Sequence, residues 1–233
     1  MRLLLLCSCI IITAVFQNSL PLKQYHVQNI GDKHLEVSGD GSSKLWEKAI
    51  ELTDFTYPWE KEKVPFTSFK ALHNDKWLFC LFQVKDSDIN VYVDKNQKSD
   101  VLYSDRVELF LRKDPDMTPY FGLEIDPHAR VYDYEAYYKG KHNAEWTWPT
   151  GHFIVKANIN MDGYTVEFAL SKESLKQLGL LNGKKLEAGL FRGNCIEIIK
   201  DSNSNIKWIS WMKPDSSTPN FHIPSSFGIL ELD

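Results

Sequence analysis

The sequence predicts an all-β protein: an antiparallel β-sandwich, jelly-roll or immunoglobulin-like, with one or two short helices. Short stretches rich in aromatic and β-branched residues recur along most of the 233-residue chain, and turn-forming residues separate them. Helical patterns are confined to two short stretches. Many short strands joined by turns favour a sandwich of about ten strands.

Three hairpins are the clearest elements of this pattern. In each of them two apolar stretches flank a four-residue turn of mostly polar residues, and they join 66–72 to 77–84, 120–125 to 130–137, and 153–159 to 164–170. Between the first two hairpins, Val107, Leu109 and Leu111 alternate with other residues, which predicts a strand with one apolar and one mixed face. Further strands are predicted at 186–191, 206–212 and 227–232.

The two helical stretches are both short. Ser171 can cap a helix over 172–178, and Gly179 can end it. A second short helix is predicted at 45–52.

The first twenty residues have the layout of a secretory signal peptide. Arg2 supplies a positive charge, residues 3–16 are almost continuously apolar, and polar residues follow. This apolar core is too short for a membrane-spanning helix. We therefore expect residues 1–20 to be a cleaved signal peptide, residues 21–233 to form one domain, and the protein to be secreted or periplasmic.

Net charge and cysteine content exclude several classes of protein. The formal net charge is −4, with both signs interspersed, so the sequence indicates no binding to nucleic acid or to an anionic membrane. Beyond residue 20 only Cys80 and Cys195 remain, and they could form a disulfide or stay as buried thiols. We expect a monomer without an organic cofactor.

The end of the chain bears most directly on function. Trp208, Trp211, Phe221 and His222 surround a Pro-rich loop between two short apolar stretches. An aromatic ring can stack on the apolar face of a sugar, while polar groups bind its edge. Because Trp208 and Trp211 are three residues apart, a regular strand places them on opposite faces. We assign Trp211 to the core and Trp208 to a site for an oligosaccharide or polysaccharide.

Segments spread over residues 46–228 resemble the family 9 carbohydrate-binding modules and their family 9-like, DOMON-related bacterial relatives. The resemblance is carried by segments such as Ser104-Asp105-Arg106-Val107-Glu108-Leu109-Phe110, Arg130-Val131-Tyr132-Asp133-Tyr134, Trp146-Thr147-Trp148-Pro149 and Pro224-Ser225-Ser226-Phe227-Gly228. It implies a β-sandwich that binds glycans such as xylan without catalysis. It also implies a sugar held between two aromatic rings and a structural calcium ion.

The resemblance assigns site residues position by position. Phe221, followed by His222, stands where the family carries an aromatic residue before the Pro-Ser-x-Phe-Gly segment. The second aromatic residue is left open among His73, Tyr92 and Tyr103, of which we take Tyr103.

Arg106 and Glu108 are the predicted polar contacts of the site. They are two apart on a strand and share a face, where they could bind adjacent hydroxyl groups. A surface ion pair is the alternative role for these two side chains. Asp86 and Asp88 form an acidic loop that could hold the implied calcium ion, although the same residues also suit a solvated turn.

Two other functions remain open at this point. A xylanase-like glycoside hydrolase, or an accessory module of one, would need a carboxylate pair, for which Glu124 and Asp126 are available. Asp126 precedes Pro127, however, where an Asp is expected for turn formation. A haem-binding sandwich would need a Met and a His; Met117, Met161 and Met212 are present. Trp146 and Trp148 could form a second aromatic platform or cover the core.

Overall fold

The structure is a computed structural model that describes residues 22–199 and 203–233. The predicted signal peptide, residues 1–20, lies outside the described residues. Within them the chain forms twelve strands, one short α-helix, α1 (Lys172–Gln177), and three 3₁₀ helices (Lys44–Lys48, Lys98–Tyr103 and Pro224–Ser226). The strands are β1 (Gln24–Asn29), β2 (Thr67–His73), β3 (Trp77–Lys85), β4 (Arg106–Arg112), β5 (Tyr120–Ile125), β6 (Val131–Ala136), β7 (His142–Asn143), β8 (Phe153–Asn160), β9 (Gly163–Ser171), β10 (Lys185–Ile199), β11 (Asn203–Ser210) and β12 (Gly228–Leu232).

The strands form two packed layers, which confirms the predicted all-β sandwich. The front sheet has the order β7-β6-β5-β4-β10-β12-β1, and β11 pairs with the C-terminal half of β10, residues 191–199. The back sheet has the order β1-β2-β3-β9-β8. Strand β1 belongs to both sheets and pairs in parallel with β12 and with β2, so the sandwich is not wholly antiparallel as predicted.

Apolar residues at alternate strand positions fill the space between the sheets. On β4 these are Val107, Leu109 and Leu111, as the alternation predicts, and Phe82 and Phe168 face them from the back sheet. The other face of β4 is buried too, because segments from the end of the chain cover it. Sequence alternation therefore identified the core face correctly but not the burial of the second face.

The predicted strands are confirmed within one or two residues, apart from β10 and β11. Those two continue into a long hairpin that pairs Phe191 with Ser210 and Ile199 with Asn203. Strands β1 and β7 were missed; β7 has only two residues and β1 precedes any turn signal. Ser171 caps α1 as predicted, since its side chain accepts a hydrogen bond from the Ser174 N–H.

The second predicted helix is wrong in length and type. Instead of a helix over 45–52, the chain forms the 3₁₀ helix Lys44–Lys48, after which Ala49 is extended. Trp46, in the middle of this turn, is buried against the outer face of the back sheet. None of the helices in the described residues is long and apolar enough to cross a membrane.

Cys80 and Cys195 are both buried and unbonded to each other. The open choice between a disulfide and free thiols is therefore decided in favour of free thiols in this structure. Cys80 lies in the core between the sheets, where burial raises its pKa far above the ordinary value of a thiol.

A buried carboxylate fastens the N-terminal segment to the outer face of the back sheet. Glu167 on β9 is fully buried. Its Oε1 accepts a hydrogen bond from the indole N–H of Trp46 at 2.9 Å, and its Oε2 accepts from the N–H groups of Ser38 and Gly39 at 2.8 and 2.7 Å. With the Ser38 hydroxyl, which also donates to Oε2, one side chain thus accepts hydrogen bonds from four donors.

Replacing Glu167 by Ala should lower the free energy of unfolding by about 3 kcal/mol, because buried donors would lose a charged acceptor. The matched control is Glu36→Ala in the same segment, where the side chain is exposed. Urea unfolding of the two variants measures the difference. Equal midpoints would show that Glu167 does not anchor the segment.

Candidate functional site

The outer face of the front sheet carries an unusual combination of charged and aromatic residues. Cross-strand pairing aligns Glu108 with Glu124, Phe110 with Gly122 and Arg106 with Gly193. Close packing requires glycine at position 122 and leaves little space for a larger residue at position 193. A Cβ at Gly122 would lie 2.2 Å from Cζ of Tyr134, and one at Gly193 would lie 3.2 Å from Nη1 of Arg106. The sheet is bare at these points, so that large side chains can lie across it.

Arg106 is the centre of a buried ionic group on this face. Its Nε donates to Oε1 of Glu108 at 2.9 Å and to Oε2 of Glu124 at 2.7 Å. Its Nη1 donates to the carbonyls of Leu102 and Ser104, at the end of the 3₁₀ helix Lys98–Tyr103. Arg106, Glu108 and Glu124 are only 3%, 2% and 5% exposed. This burial excludes the surface ion pair that the sequence left open.

The environment changes the protonation of this group. Burial, reinforced by the negative charge of Glu124, raises the pKa of Glu108 to about 8. Burial also raises the pKa of Glu124. Burial opposes the charge of Arg106, but the two carboxylates outweigh it and raise the pKa of the guanidinium. Near neutral pH the group therefore holds Arg106 charged and keeps a proton on Glu108.

A loop at the end of the chain completes the site. We call residues 212–227, which join β11 to β12, the covering loop. A pocket of about 140 Å³ lies between the covering loop and the sheet. It is lined by Arg106, Glu108, Phe110, Glu124, Trp208, Pro219, Asn220, Phe221 and His222.

Two polar contacts tie the covering loop to the rest of the domain, and a third joins two residues within the loop. Nη1 of Arg112 on β4 donates to the carbonyl of Pro224 at 3.0 Å. The indole N–H of Trp59 donates to the carbonyl of Ser216 at 2.9 Å, and the Asp215 N–H donates to Oγ of Ser225 at 2.8 Å. The loop is thus fixed at both ends, so the pocket is formed in advance of any ligand.

Phe221 lines the pocket but is not the open stacking platform that the sequence predicts. Its ring stacks on Phe191, with centroids 4.0 Å apart and an interplanar angle of 15°, and it packs edge-on against Trp208. Trp59 also contacts it, and only 5% of Phe221 is exposed. Phe221 therefore supports the pocket wall, because its faces are occupied by other rings.

Trp208 is the partly exposed aromatic side chain of the pocket. The guanidinium of Arg106 lies over its ring, 5.0 Å from the centroid. Trp211, three residues later, is 1% exposed in the core between the sheets. The structure thus places the two tryptophans on opposite faces, as the spacing predicts.

His222 lies at the rim of the pocket beside two aromatic rings. Its ring stacks on Phe110, with centroids 5.2 Å apart, and its Nδ1 is 2.9 Å from the hydroxyl of Tyr120. Burial raises the pKa of Tyr120 to about 12, so the hydroxyl keeps its proton near neutral pH.

The three residues left open for the second aromatic contact do not line this pocket. Tyr103 packs edge-on against Tyr92, with centroids 5.3 Å apart, and its carbonyl accepts from Cys195. His73 ends β2 in the back sheet, where its Nδ1 is 2.9 Å from Nζ of Lys172. The choice of Tyr103 is therefore wrong for this pocket, since its ring packs against Tyr92 outside the pocket wall.

Asp86 and Asp88 do not come together as ligands of one ion. Oδ2 of Asp86 accepts from Nη2 of the fully buried Arg192 at 2.5 Å, and Oδ1 accepts from the Asp88 N–H at 2.9 Å. Asp88 is exposed. Within residues 22–199 and 203–233, no group of three or more His, Cys, Asp or Glu side chains could hold a metal ion. These residues do not fit a calcium ion, because Asp86 is committed to Arg192; calcium binding elsewhere stays a prediction.

The other carboxylate considered for catalysis has a structural role. Asp126 accepts from the N–H groups of His128 and Arg130 in the β5–β6 turn and also binds the Arg130 side chain. Asp126 and Glu124 therefore have different partners, since Glu124 binds Arg106. Glu124 pairs instead with Glu108, a neighbour across the sheet that a reading of one strand at a time does not reveal.

The remaining aromatic and methionine candidates belong to the core or to solvent. Trp148 is 5% exposed and donates its indole N–H to Oγ of Ser174, and Trp146 packs on Phe121, so this pair covers the core. Met117 is buried, and Met161 is fully exposed at the β8–β9 turn.

Several pocket residues were missed by sequence analysis. Phe110, Asn220 and the site role of Glu124 were not identified. One signal was available: Gly122 and Gly193 interrupt strands of otherwise large residues, as glycine does where another group approaches the backbone closely.

The two-layer fold and the preformed aromatic and ionic pocket define a β-sandwich binding module. The chain belongs to the carbohydrate family 9 binding domain-like family, whose model matches residues 37–233. The predicted resemblance to family 9 carbohydrate-binding modules is thereby confirmed.

Known proteins similar to the chain agree with this assignment. Exoglucanase XynX of Acetivibrio thermocellus is 26% identical over 193 residues, a match that covers 81% of this chain but 15% of the relative. The chain thus spans a small part of that protein's length.

Solved structures share the fold. A family 9 module from Caldicellulosiruptor kristjanssonii in complex with glucose has a TM-score of 0.60 at 17% identity, covering 91% of this chain and 96% of the module. A family 9 module from the same organism in complex with cellotriose gives 0.58 at 17% identity, over 90% of this chain and 93% of the module. A putative carbohydrate-binding protein from Bacteroides uniformis gives 0.67 at 14% identity, over 91% of this chain and all of that one.

The raised pKa of Glu108 makes stability depend on pH in a defined direction. An unfolded Glu titrates near pH ~4.3, so between that pH and about 8 the folded state binds the extra proton. The contribution of this proton to the free energy of unfolding is complete below the pKa of the unfolded state and is lost as the pH rises through about 8. We expect Glu108→Gln, which mimics the protonated form, to flatten the fall in unfolding free energy between pH 5 and 9.

Urea unfolding of both proteins across this pH range measures the effect. Asp105, whose pKa burial raises to about 7, titrates in both proteins and cancels in the comparison. Parallel stability curves for the two proteins would contradict the assignment of the proton to Glu108.

Proposed function

We propose that this domain is a non-catalytic carbohydrate-binding module whose site is the pocket beneath the covering loop. The observation that carries the proposal is the joining of the partly exposed Trp208 ring with the buried group of Arg106, Glu108 and Glu124 in one preformed pocket. Membership of the family supports it. So do the complexes with glucose and cellotriose formed by two modules of similar fold.

The pocket offers the two kinds of contact that a pyranose needs. An apolar sugar face can pack on the exposed part of Trp208. Hydroxyl groups at the sugar edge can donate to the Glu124 carboxylate, while the protonated carboxyl of Glu108 and the amide of Asn220 can each donate or accept. Because the ionic group is already buried and paired, the protein does not have to reorganise these charges when a sugar binds.

The geometry of the two carboxylates argues against glycoside hydrolysis. An acid and a base or nucleophile must flank the scissile bond, with the substrate between them. Here Nε of Arg106 lies between Glu108 and Glu124 and binds both. The carboxylates are thus committed to a cation, a role suited to gripping hydroxyl groups.

The expected ligand is an oligosaccharide or polysaccharide, with xylan among the candidates. The signal-peptide pattern at 1–20 supports the proposal that this binding occurs outside the cytoplasm, in the periplasm or after secretion. We propose that the domain acts as a monomer, which size-exclusion chromatography with light scattering tests directly.

Truncation of the aromatic contact should weaken binding without unfolding the protein. We expect Trp208→Ala to reduce the affinity for cellotriose, or for the best glycan found on an array, about ten-fold, because the stacking surface is lost. Isothermal titration calorimetry measures the affinity, and circular dichroism verifies the fold.

Trp77→Ala is the matched control, since Trp77 is partly buried on the outer face of the back sheet. Equal loss of affinity in both variants, or no glycan binding by the wild type, would contradict the proposed site. Release of glucose from cellotriose by the purified domain would contradict the non-catalytic part of the proposal.

A further inference from the structure

The formal charges that line the pocket do not balance. Two carboxylates, Glu108 and Glu124, stand against a single guanidinium, Arg106. The remaining lining residues are aromatic, amide, imidazole and proline side chains. The pocket wall therefore has one more acidic than basic group.

Arg106 cannot serve both carboxylates fully. They share its Nε, whereas its Nη1 turns away to the carbonyls of Leu102 and Ser104. Glu108 gives only its Oε1 to this bond, and no hydrogen bond to its Oε2 is found among the described residues. This oxygen of the pocket wall is thus open to a ligand, and it becomes an acceptor when the proton on Glu108 is displaced.

Cations on the neighbouring strands and loops are engaged elsewhere. Arg112 binds Glu187, with Nε 2.5 Å from Oε2. Nζ of Lys98 lies 2.7 Å from Oδ1 of Asp133. A second positive charge for the Glu108–Glu124 pair is therefore not supplied by these side chains.

We propose that the pocket prefers glycans that carry a protonated amine over neutral and acidic glycans of the same length. An ammonium group provides three N–H donors and the positive charge that the two carboxylates lack. A carboxylate on the ligand would instead add another buried negative charge beside the Glu108–Glu124 pair. This inference rests on the proposed function and names the class of glycan that the same site selects.

Proton exchange is a specific consequence of this preference. The charged and titratable groups around the Glu108–Glu124 pair are Arg106 on β4, Tyr120 on β5, Tyr134 on β6 and His222 of the covering loop. Burial raises the pKa of both Glu108 and Glu124, so the empty pocket holds a proton near neutral pH. A bound ammonium takes the place of that proton, which is released to solvent.

Three β-1,4-linked trisaccharides of equal length test the inference: cellotriose, the glucosamine trisaccharide and the glucuronate trisaccharide. Titration calorimetry at pH 6.5, where the amine is largely protonated, should show the glucosamine trisaccharide binding about ten-fold more tightly than cellotriose. The glucuronate trisaccharide should bind most weakly. Repeating the titration in two buffers of different ionisation enthalpy should reveal proton release for the amino ligand alone.

Two variants with the same change of charge separate the pocket from the general surface. Glu108→Gln should bring the ratio of glucosamine to cellotriose affinity close to one, and Glu124→Gln should act in the same direction. Glu36→Gln removes an exposed carboxylate from the segment that covers the back sheet and should leave the ratio unchanged. Thermal melting of each variant verifies that it is folded.

Each result has a definite meaning. Equal binding of cellotriose and the glucosamine trisaccharide would overturn this inference while leaving the proposed function in place. So would a ratio that Glu108→Gln does not change, or that Glu36→Gln reduces equally. Failure of every trisaccharide and every array glycan to bind would overturn the proposed function, and the inference with it.

Discussion

The pairing of Arg106 with two buried carboxylates is the interaction on which the outer face of the front sheet depends. An isolated charge in such a place would be unstable, so the guanidinium must be paired and its other N–H groups must find acceptors. Backbone carbonyls at the end of a 3₁₀ helix provide them, which ties the connection between β3 and β4 to the sheet. The same group excludes an apolar filling and leaves a polar pocket beneath the covering loop.

The two outer faces of the sandwich are covered in different ways. On the back sheet, the carboxylate of Glu167 accepts hydrogen bonds from donors of the N-terminal segment, and Trp46 packs over the sheet. On the front sheet, the carboxyl groups of Glu108 and Glu124 both accept from a single donor, Nε of Arg106. Both carboxylate oxygens of Glu167 are used by protein donors. The Glu108–Glu124 pair shares one donor, so part of its hydrogen-bonding capacity is left for a ligand. This difference distinguishes the outer face of the front sheet, which carries the candidate site, from the outer face of the back sheet.

Aromatic residues reach the pocket because glycine makes room for them. Tyr134 lies across Gly122, and Phe221 of the covering loop packs against the rings of Phe191 and Trp208. Such close packing gives the pocket a rigid wall. It also explains why Phe221, at a position where the family carries an aromatic residue, serves here as a support and leaves Trp208 partly exposed.

The sequence by itself determined the sandwich, most of its strands and the inward face of β4, because alternation and turn residues act over a few neighbouring positions. It also placed Arg106, Glu108, Trp208 and the loop around Phe221 in one site. Only the tertiary structure decided which acid joins Glu108, that Tyr103 lies outside the pocket, and that Asp86 binds Arg192. These outcomes depend on strand register and on loops that pack across the sheet, and such contacts join residues far apart in the chain.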